Sequence, residues 1–174
     1  MNTEDIKLGP CNVTYDGTDL GATIGGVEVQ VATTTRETKV DQLGETVVKE
    51  YITGRNVSVK VPLAEATVDN MVALMPGATK VVDATDPTKM RVDVAVSPGF
   101  DLLKAAKPLV LHPVHLPLED KSEDFTVNLA NCAGELNFAY QLDQERVFTC
   151  NFKGYPDAEK GYQLYSYGDP DAAA

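Results

Sequence analysis

The chain has 174 residues, 43% of them hydrophobic, which is enough for one domain with a sizeable core and too apolar for a disordered segment. Fifteen Lys and Arg against 26 Asp and Glu leave a formal charge of -11, which argues against a protein that wraps nucleic acid by neutralising phosphates. The excess is uneven, with eleven acids and four bases in residues 117–174.

Met1 is followed by "NTEDIKLGP", without the basic start and apolar run of a secretory leader, and no stretch reaches the about eighteen consecutive apolar residues of a membrane span. The expectation is a soluble protein made in a cytoplasm. Cys11, Cys132 and Cys150 are odd in number and lack CxxC spacing, so they are expected as reduced structural thiols rather than a disulfide framework or a zinc knuckle.

Along the chain, Cys11 to Tyr15 reads as a strand before the turn "DGTDLG", and "IGG" as a glycine turn into the next strand. "GVEVQVAT" alternates Val27, Val29 and Val31 with Glu28 and Gln30, and "NVSVKVP" alternates Val57, Val59 and Val61 with Ser58 and Lys60. "KMRVDVAV" sets Met90, Val92, Val94 and Val96 against Arg91 and Asp93. Period two of this kind marks half-buried strands. Leu109 to His112, "DFTVNLA", "ELNFAYQL", "VFTCNFKG" and "YQLYSYG" add further strands, with "DQE" as a tight connection. About eight strands with turn signals between them predict a sandwich or barrel.

One helix interrupts the series. In "PLAEATVDNMVALMPG", Val68, Met71, Val72 and Met75 fall at helical spacing, Pro62 stands near the start and Pro76-Gly77 after the end, so a helix from Leu63 to Met75 should lie on a sheet. "GFDLLKAAK" offers a shorter helical turn with Phe100, Leu103 and the stem of Lys107 on one face, and residues 169–174 read as a loose tail.

The stretch from Thr35 to Arg55 fits none of these units. Structureless loops of about twenty residues are uncommon in compact domains. Leu43-Gly44 lies where a hairpin would turn, and Val40, Val47, Val48, Tyr51 and Ile52 are too few to form a core. An isolated two-stranded hairpin is marginal in water, so this arm either folds back on its own domain or becomes ordered against another molecule.

No catalytic motif stands out. His112 and His115 in "HPVH", beside Glu119 and Asp120, imitate a metal site, but residues three apart on an extended segment point to opposite faces and the chain has no third His. Ser97 lacks a GxSxG setting, and "DATDPTKMRVD", with Asp83, Asp86 and Asp93, lacks EF-hand spacing and reads as a hairpin connection. Tyr155, Tyr162, Tyr165 and Tyr167 suit strand packing or a subunit interface. Neither a catalytic residue, a metal nor a cofactor is expected.

In their order, "KLGPCNVTYDGTDLGATIGGVEVQV", the arm "VDQLGETVVKEYITGR" and "VKVPLAEATVDNMVALMPGAT" resemble the tail tube (major tail) proteins of long, flexible-tailed bacteriophages. "PLVLHPVHLP" and "VFTCNFKGYPDAEKGYQLYSYGDP" extend the likeness over nearly the whole chain. The resemblance implies a single domain over residues 1–174, mainly β with one flanking helix, of the tube type of β-sandwich or barrel with a long protruding loop or hairpin. It implies homo-hexameric rings stacked into a tube, neighbouring sheets joined into an inner barrel, and a lumen that holds a tape-measure protein and later conducts DNA without specific binding.

Tail terminator and distal tail proteins would close the ends of that tube, no membrane would be involved, and the protein would reside in the virion tail after assembly in the bacterial host cytoplasm. The arm, residues 35–55, would reach the adjacent ring through Arg36, Glu37, Lys39, Val40, Asp41, Gln42, Leu43, Gly44, Glu45, Val47, Val48, Lys49, Glu50 and Tyr51. Glu28, Gln30, Ser58 and Lys60 would face the lumen, with Arg91 and Asp93 as further candidates. A share of the -11 per copy on that wall would repel phosphates.

Two other readings remain. A carbohydrate-binding or adhesion sandwich predicts exposed aromatics on a concave face, against which the absence of Trp counts, and an enzyme predicts a pocket of perturbed titratable groups.

Overall fold

The computed structural model describes residues 7–135, 138–140, 142–143 and 145–172. Ten strands occur among them: β1 (Cys11–Tyr15), β2 (Thr18–Asp19), β3 (Glu28–Lys39), β4 (Val47–Leu63), β5 (Ala78–Val82), β6 (Met90–Val94), β7 (Lys107–Pro113), β8 (Phe125–Cys132), β9 (Phe148–Tyr155) and β10 (Ser166–Tyr167). One α-helix, α1 (Val68–Leu74), lies between β4 and β5. The protein is therefore mainly β with a single short helix among the described residues, as the alternating valines predict.

The main sheet runs β2-β1-β7-β8-β9-β4-β3, all antiparallel, with β10 beside the start of β8. One face supplies the core. Val13 and Tyr15, Leu109 and Leu111, Val127, Phe148, Cys150 and Phe152, and Val57, Val59, Val61 and Leu63 are all buried together. The sheet curls over this face, so that Tyr15 of β1 meets Phe152 of β9 at 5.1 Å between ring centroids and donates from its hydroxyl to the Ala130 carbonyl at 3.2 Å.

Gly154 permits a close approach within the core. A Cβ at that position would overlap Val57 Cγ1 and come within 2.8 Å of Val127 Cγ1. Side chains from the two strands flanking β9 thus close over a residue that has none.

α1 lies on the same apolar face. The Thr67 hydroxyl accepts from the Asn70 amide at 3.1 Å and starts the helix, with Asp69 favourably placed in the first turn. The helix is shorter than the predicted span from Leu63 to Met75, because Pro62 and Leu63 belong to β4, opposite Thr149 and Phe148, and the Ala64 amide donates to the Ala22 carbonyl. Its deepest residues are Asn70 and Leu74, while Val68, Met71, Val72 and Met75 are half-buried. Asn70 holds the helix down by donating from Nδ2 to the Leu20 and Glu65 carbonyls at 2.9 and 3.0 Å.

β5 and β6 form a separate hairpin that packs on α1, closed by Asp83 and Asp86, whose carboxylates accept from Thr85 and Thr88. The expected turn is there, and β5 is an additional strand. "GFDLLKAAK" forms turns and no helix, because the Leu102 carbonyl is drawn to Asn131 Nδ2 at 2.8 Å and Lys107 opens β7. In "ELNFAYQL", Glu135 and Phe138 to Tyr140 carry no strand pairing, while Leu136, Asn137 and Gln141 lie outside the described residues, as does Gln144 of "DQE". "YQLYSYG" shrinks to β10. Of the expected tail, 169–172 form a turn, and 173–174 lie outside the described residues.

Replacing Gly154 with Ala should cost about 3 kcal/mol, the upper end for overpacking, which lowers the melting temperature by about 6–12 °C in a chain of this size. Thermal denaturation followed by circular dichroism measures it, and an unchanged melting temperature would show that the sheet opens at no cost.

Candidate assembly surface

The stretch from Thr35 to Arg55 is a β-hairpin rather than a loop. Glu28 to Thr34 of β3 pair with Lys60 to Gly54 of β4. Thr35 to Thr38 then pair with Ile52 to Lys49, and Lys39 with Val47. Two β-bulges break the ladder, one between Thr34 and Thr35 with Thr53 as the extra residue, the other between Thr38 and Lys39 at Val48. The Thr53 hydroxyl donates to the Thr34 carbonyl at 3.1 Å across the first bulge. A one-turn 3-10 segment, Asp41–Leu43, forms the tip, and Gly44 there has φ 59.

Burial divides the hairpin. Every residue of β3 is exposed. In β4, Val47 to Thr53 are exposed, Gly54 is half-buried, Arg55 and Asn56 are exposed, and burial begins at Val57. On the core side of the sheet, Val57 and Val59 are 2% exposed, whereas their cross-strand partners Val31 and Val29 are 39% and 41% exposed. The apolar face therefore runs past the edge of the core and ends uncovered on β3. The arm adds Val40, Leu43, Val47, Val48, Tyr51 and Ile52, all exposed.

The opposite face of the same strands is hydrophilic. Glu28 and Lys60 are cross-strand partners with the Lys60 ammonium 3.4 Å from both carboxylate oxygens, and Gln30 lies opposite Ser58. On β9, Asn151 and Lys153 lie opposite Lys60 and Ser58 on that face. These residues are charge-balanced to basic rather than acidic, because the acids of the chain lie elsewhere. Arg91 and Asp93 are not brought to them. They sit on β6, in the hairpin that packs on α1, and pair with each other at 3.0 Å.

Beyond Thr34 the two faces of the arm carry different charges. One presents Thr35, Glu37 and Lys39 with Ile52, Glu50 and Val47, so that Glu37 and Glu50 are direct cross-strand partners. The other presents Arg36 and Thr38 with Tyr51 and Lys49, and the Lys49 ammonium lies 4.7 Å from the Tyr51 ring centroid. Lys39 reaches Glu45 at the tip at 2.6 Å, while Asp41 and Gln42 lie in the 3-10 turn. Charges of both signs along an edge strand discourage promiscuous pairing.

The two histidines are not brought together. His112 is buried on β7, inside the sheet rather than at its edge, with Nδ1 2.6 Å from Asp124 Oδ1 and Nε2 3.3 Å from the Leu116 carbonyl, and so pins the loop between β7 and β8. His115 stands apart at 3.3 Å from Glu123. Among the described residues, no three His, Cys, Asp or Glu side chains group as a metal site. The sequence gives no hint of the His112–Asp124 pair beyond a twelve-residue separation.

Cys132 and Cys150 are buried thiols in contact beneath α1, lining an apolar pocket with Leu63, Met71, Leu74 and Phe148. Its free volume is about 10 Å³, room for no more than one water. The hydrogen bond from Cys150, then backbone N–H groups of Gly134, Asn151 and Glu135, draw Cys132 down to about 6 against the opposing effect of burial. The same hydrogen bond and then burial push Cys150 up. A wider groove of about 270 Å³ opens at the end of the sheet away from the arm, between Tyr15, Val72, Met75, Pro76, Phe100 and Lys107. Among the tyrosines, Tyr165 stacks on Phe125 at 5.1 Å, whereas Tyr162 and Tyr167 are exposed.

No family model matches the chain. It is similar to the Arabidopsis thaliana protein transport protein SEC24 C, 39% identical over 70 residues. That stretch takes in 38% of this chain and 6% of that protein, so the chain spans a small part of the length of the curated relative it matches.

Burial should govern thiol reactivity. In the native chain a maleimide should reach Cys11 first and modify Cys132 and Cys150 only as the protein unfolds, which peptide mass spectrometry across a urea series would follow. Early labelling of Cys132 would show that its pocket opens in the folded state.

Proposed function

We propose that the chain is a structural subunit of a phage-type tail tube, assembling as six-membered rings that stack. The observation that carries this reading is an exposed hairpin whose apolar residues have no cover among the described residues of their own chain, continuous with an open sheet edge. Val29 and Val31 at that edge, beside the fully buried Val57 and Val59, mark where a second copy would complete the packing. Pairing of that edge with a neighbour would remove the unpaired backbone groups of β3.

The distribution of features along the sheet supports stacking. The arm leaves one end, and the groove at Val72 and Phe100, which Asp16 and Lys107 also line, lies at the other. Contacts between unlike surfaces at opposite ends generate open-ended assemblies rather than closed dimers. Within this reading the tip, residues 40–46, reaches the adjacent ring, and the hydrophilic face with Glu28, Gln30, Ser58 and Lys60 lines the lumen.

The lumen would hold the tape-measure protein and then conduct DNA, with terminator and distal tail proteins at the tube ends. A wall of amides, hydroxyls, a balanced Glu28–Lys60 pair and the exposed Lys153 beside Ser58 would let a polymer slide by offering few fixed charges, a different means from repulsion by an acidic wall.

Removing residues 39–49 should leave a folded domain, since none of them is buried, and should abolish tubes. Negative-stain microscopy of the full chain at rising concentration, beside the deletion, tests this. Tubes of unchanged axial spacing in the deletion variant would refute the role of the arm.

A further inference from the structure

One face of a protein with formal charge -11 is basic. Arg36 and Lys49 share the face of the outer arm that also carries Tyr51, and Lys153 continues it at the root beside Ser58. Among the described residues, no carboxylate lies within ion-pair distance of Arg36, Lys49 or Lys153. Tyr51 is 50% exposed beneath Lys49, so the face combines cations with an open aromatic ring.

A complementary surface exists on the same chain. The loop between β7 and β8 exposes Val114 and Leu118, at 53% and 74%, beside exposed Glu119 and Asp120. Neither acid has an ion-pair partner among the described residues. The loop is held in shape by the His112–Asp124 contact, by the Asp120 amide donating to the Pro117 carbonyl at 2.9 Å, and by the Ser122 amide donating to the Asp120 carboxylate at 3.1 Å. Such a surface loses little freedom on binding.

Position decides which copies can bring the two together. Pro113 ends β7 and Phe125 begins β8 at the end of the sheet from which the arm departs, as the antiparallel registers require. Within one copy, three strand spacings, about 14 Å, separate β7 from β4. Two surfaces at the same end meet when copies stand side by side with parallel axes.

We propose that the basic face of the outer arm, through Arg36, Lys49 and Tyr51, docks on the Leu118–Asp120 loop of a second, laterally adjacent copy. This rests on the side-by-side assembly described above and adds a lateral contact along the arm to the axial contact at its tip. Opposite charges steer the encounter and fix its register, and Tyr51 against Leu118 supplies the apolar centre.

Charge exchange in the full-length chain tests it. R36E/K49E and E119K/D120N, the latter keeping an oxygen to accept from the Ser122 amide, should each raise the concentration at half-assembly at least about tenfold in sedimentation velocity, the equivalent of about 1.4 kcal/mol, with unchanged circular dichroism. Combining all four changes in one chain should restore assembly. Variants that assemble as the parent does, or a four-fold variant without rescue, would overturn the docking while leaving the assembly reading intact. A parent chain that stays monomeric would overturn both. Binding of a short DNA duplex that R36E/K49E abolishes, with assembly indifferent to the charge changes, would assign the face to a polyanion and overturn the docking as well.

Discussion

The continuity of β4 is the constraint on which the rest depends. Its seventeen residues form the outer arm at one end and the floor of the core at the other, with Val57, Val59, Val61 and Leu63 buried under α1 and the curled sheet. A strand anchored in this way projects its free end in a fixed direction. β3 has no such anchor, because all its residues are exposed, and it is held to β4 by backbone hydrogen bonds and cross-strand contacts. The arm is thus aimed by the core without being packed by it.

The core meets that demand through close approach rather than size. Gly154 lets Val57 and Val127 close over β9, and Asn70 ties the helix to the Leu20 and Glu65 carbonyls, so that α1 covers the sheet with only seven residues. His112 and Asp124 fix the loop at the arm end in a comparable way. Gly154 has no side chain where the period of Phe148, Cys150 and Phe152 calls for an apolar one, and Asn70 and His112 are buried polar groups that lie off the apolar positions of their elements.

That explains what was legible in the sequence. Val57 to Val61 was readable because burial on one face imposes a period of two, and Met90 to Val94 has the same alternation although only Val92 of its apolar side is half-buried. The hairpin turn near Leu43-Gly44 was readable from its glycine, and the turn at Asp83 from its turn residues. β5 was not, because Lys80 reaches Asp69 on the helix from within the strand and breaks the alternation. The helix was placed too early because Leu63 suits a strand core as well as a helix stripe, and pairing with Phe148 decides the matter. For the candidate surface, the residues of the arm were legible as a misfit between two strands, but the division of their charges was not. It emerges only when cross-strand partners are known, since the bulges at Thr53 and Val48 shift which residues share a side. Arg91 and Asp93 have the same alternation as Ser58 and Lys60, and nothing local in the sequence says that they belong to a different sheet.

The spacing of the two bulges also limits how this arm can change over time. Between Thr35 and Thr38 each residue alternates sides, so losing or gaining one there would turn Arg36 toward the side of Glu37 and exchange the roles of both surfaces. Insertions at the tip carry no such penalty. Arms of varied reach could therefore arise by lengthening near Leu43, whereas the stem would tolerate changes only two residues at a time.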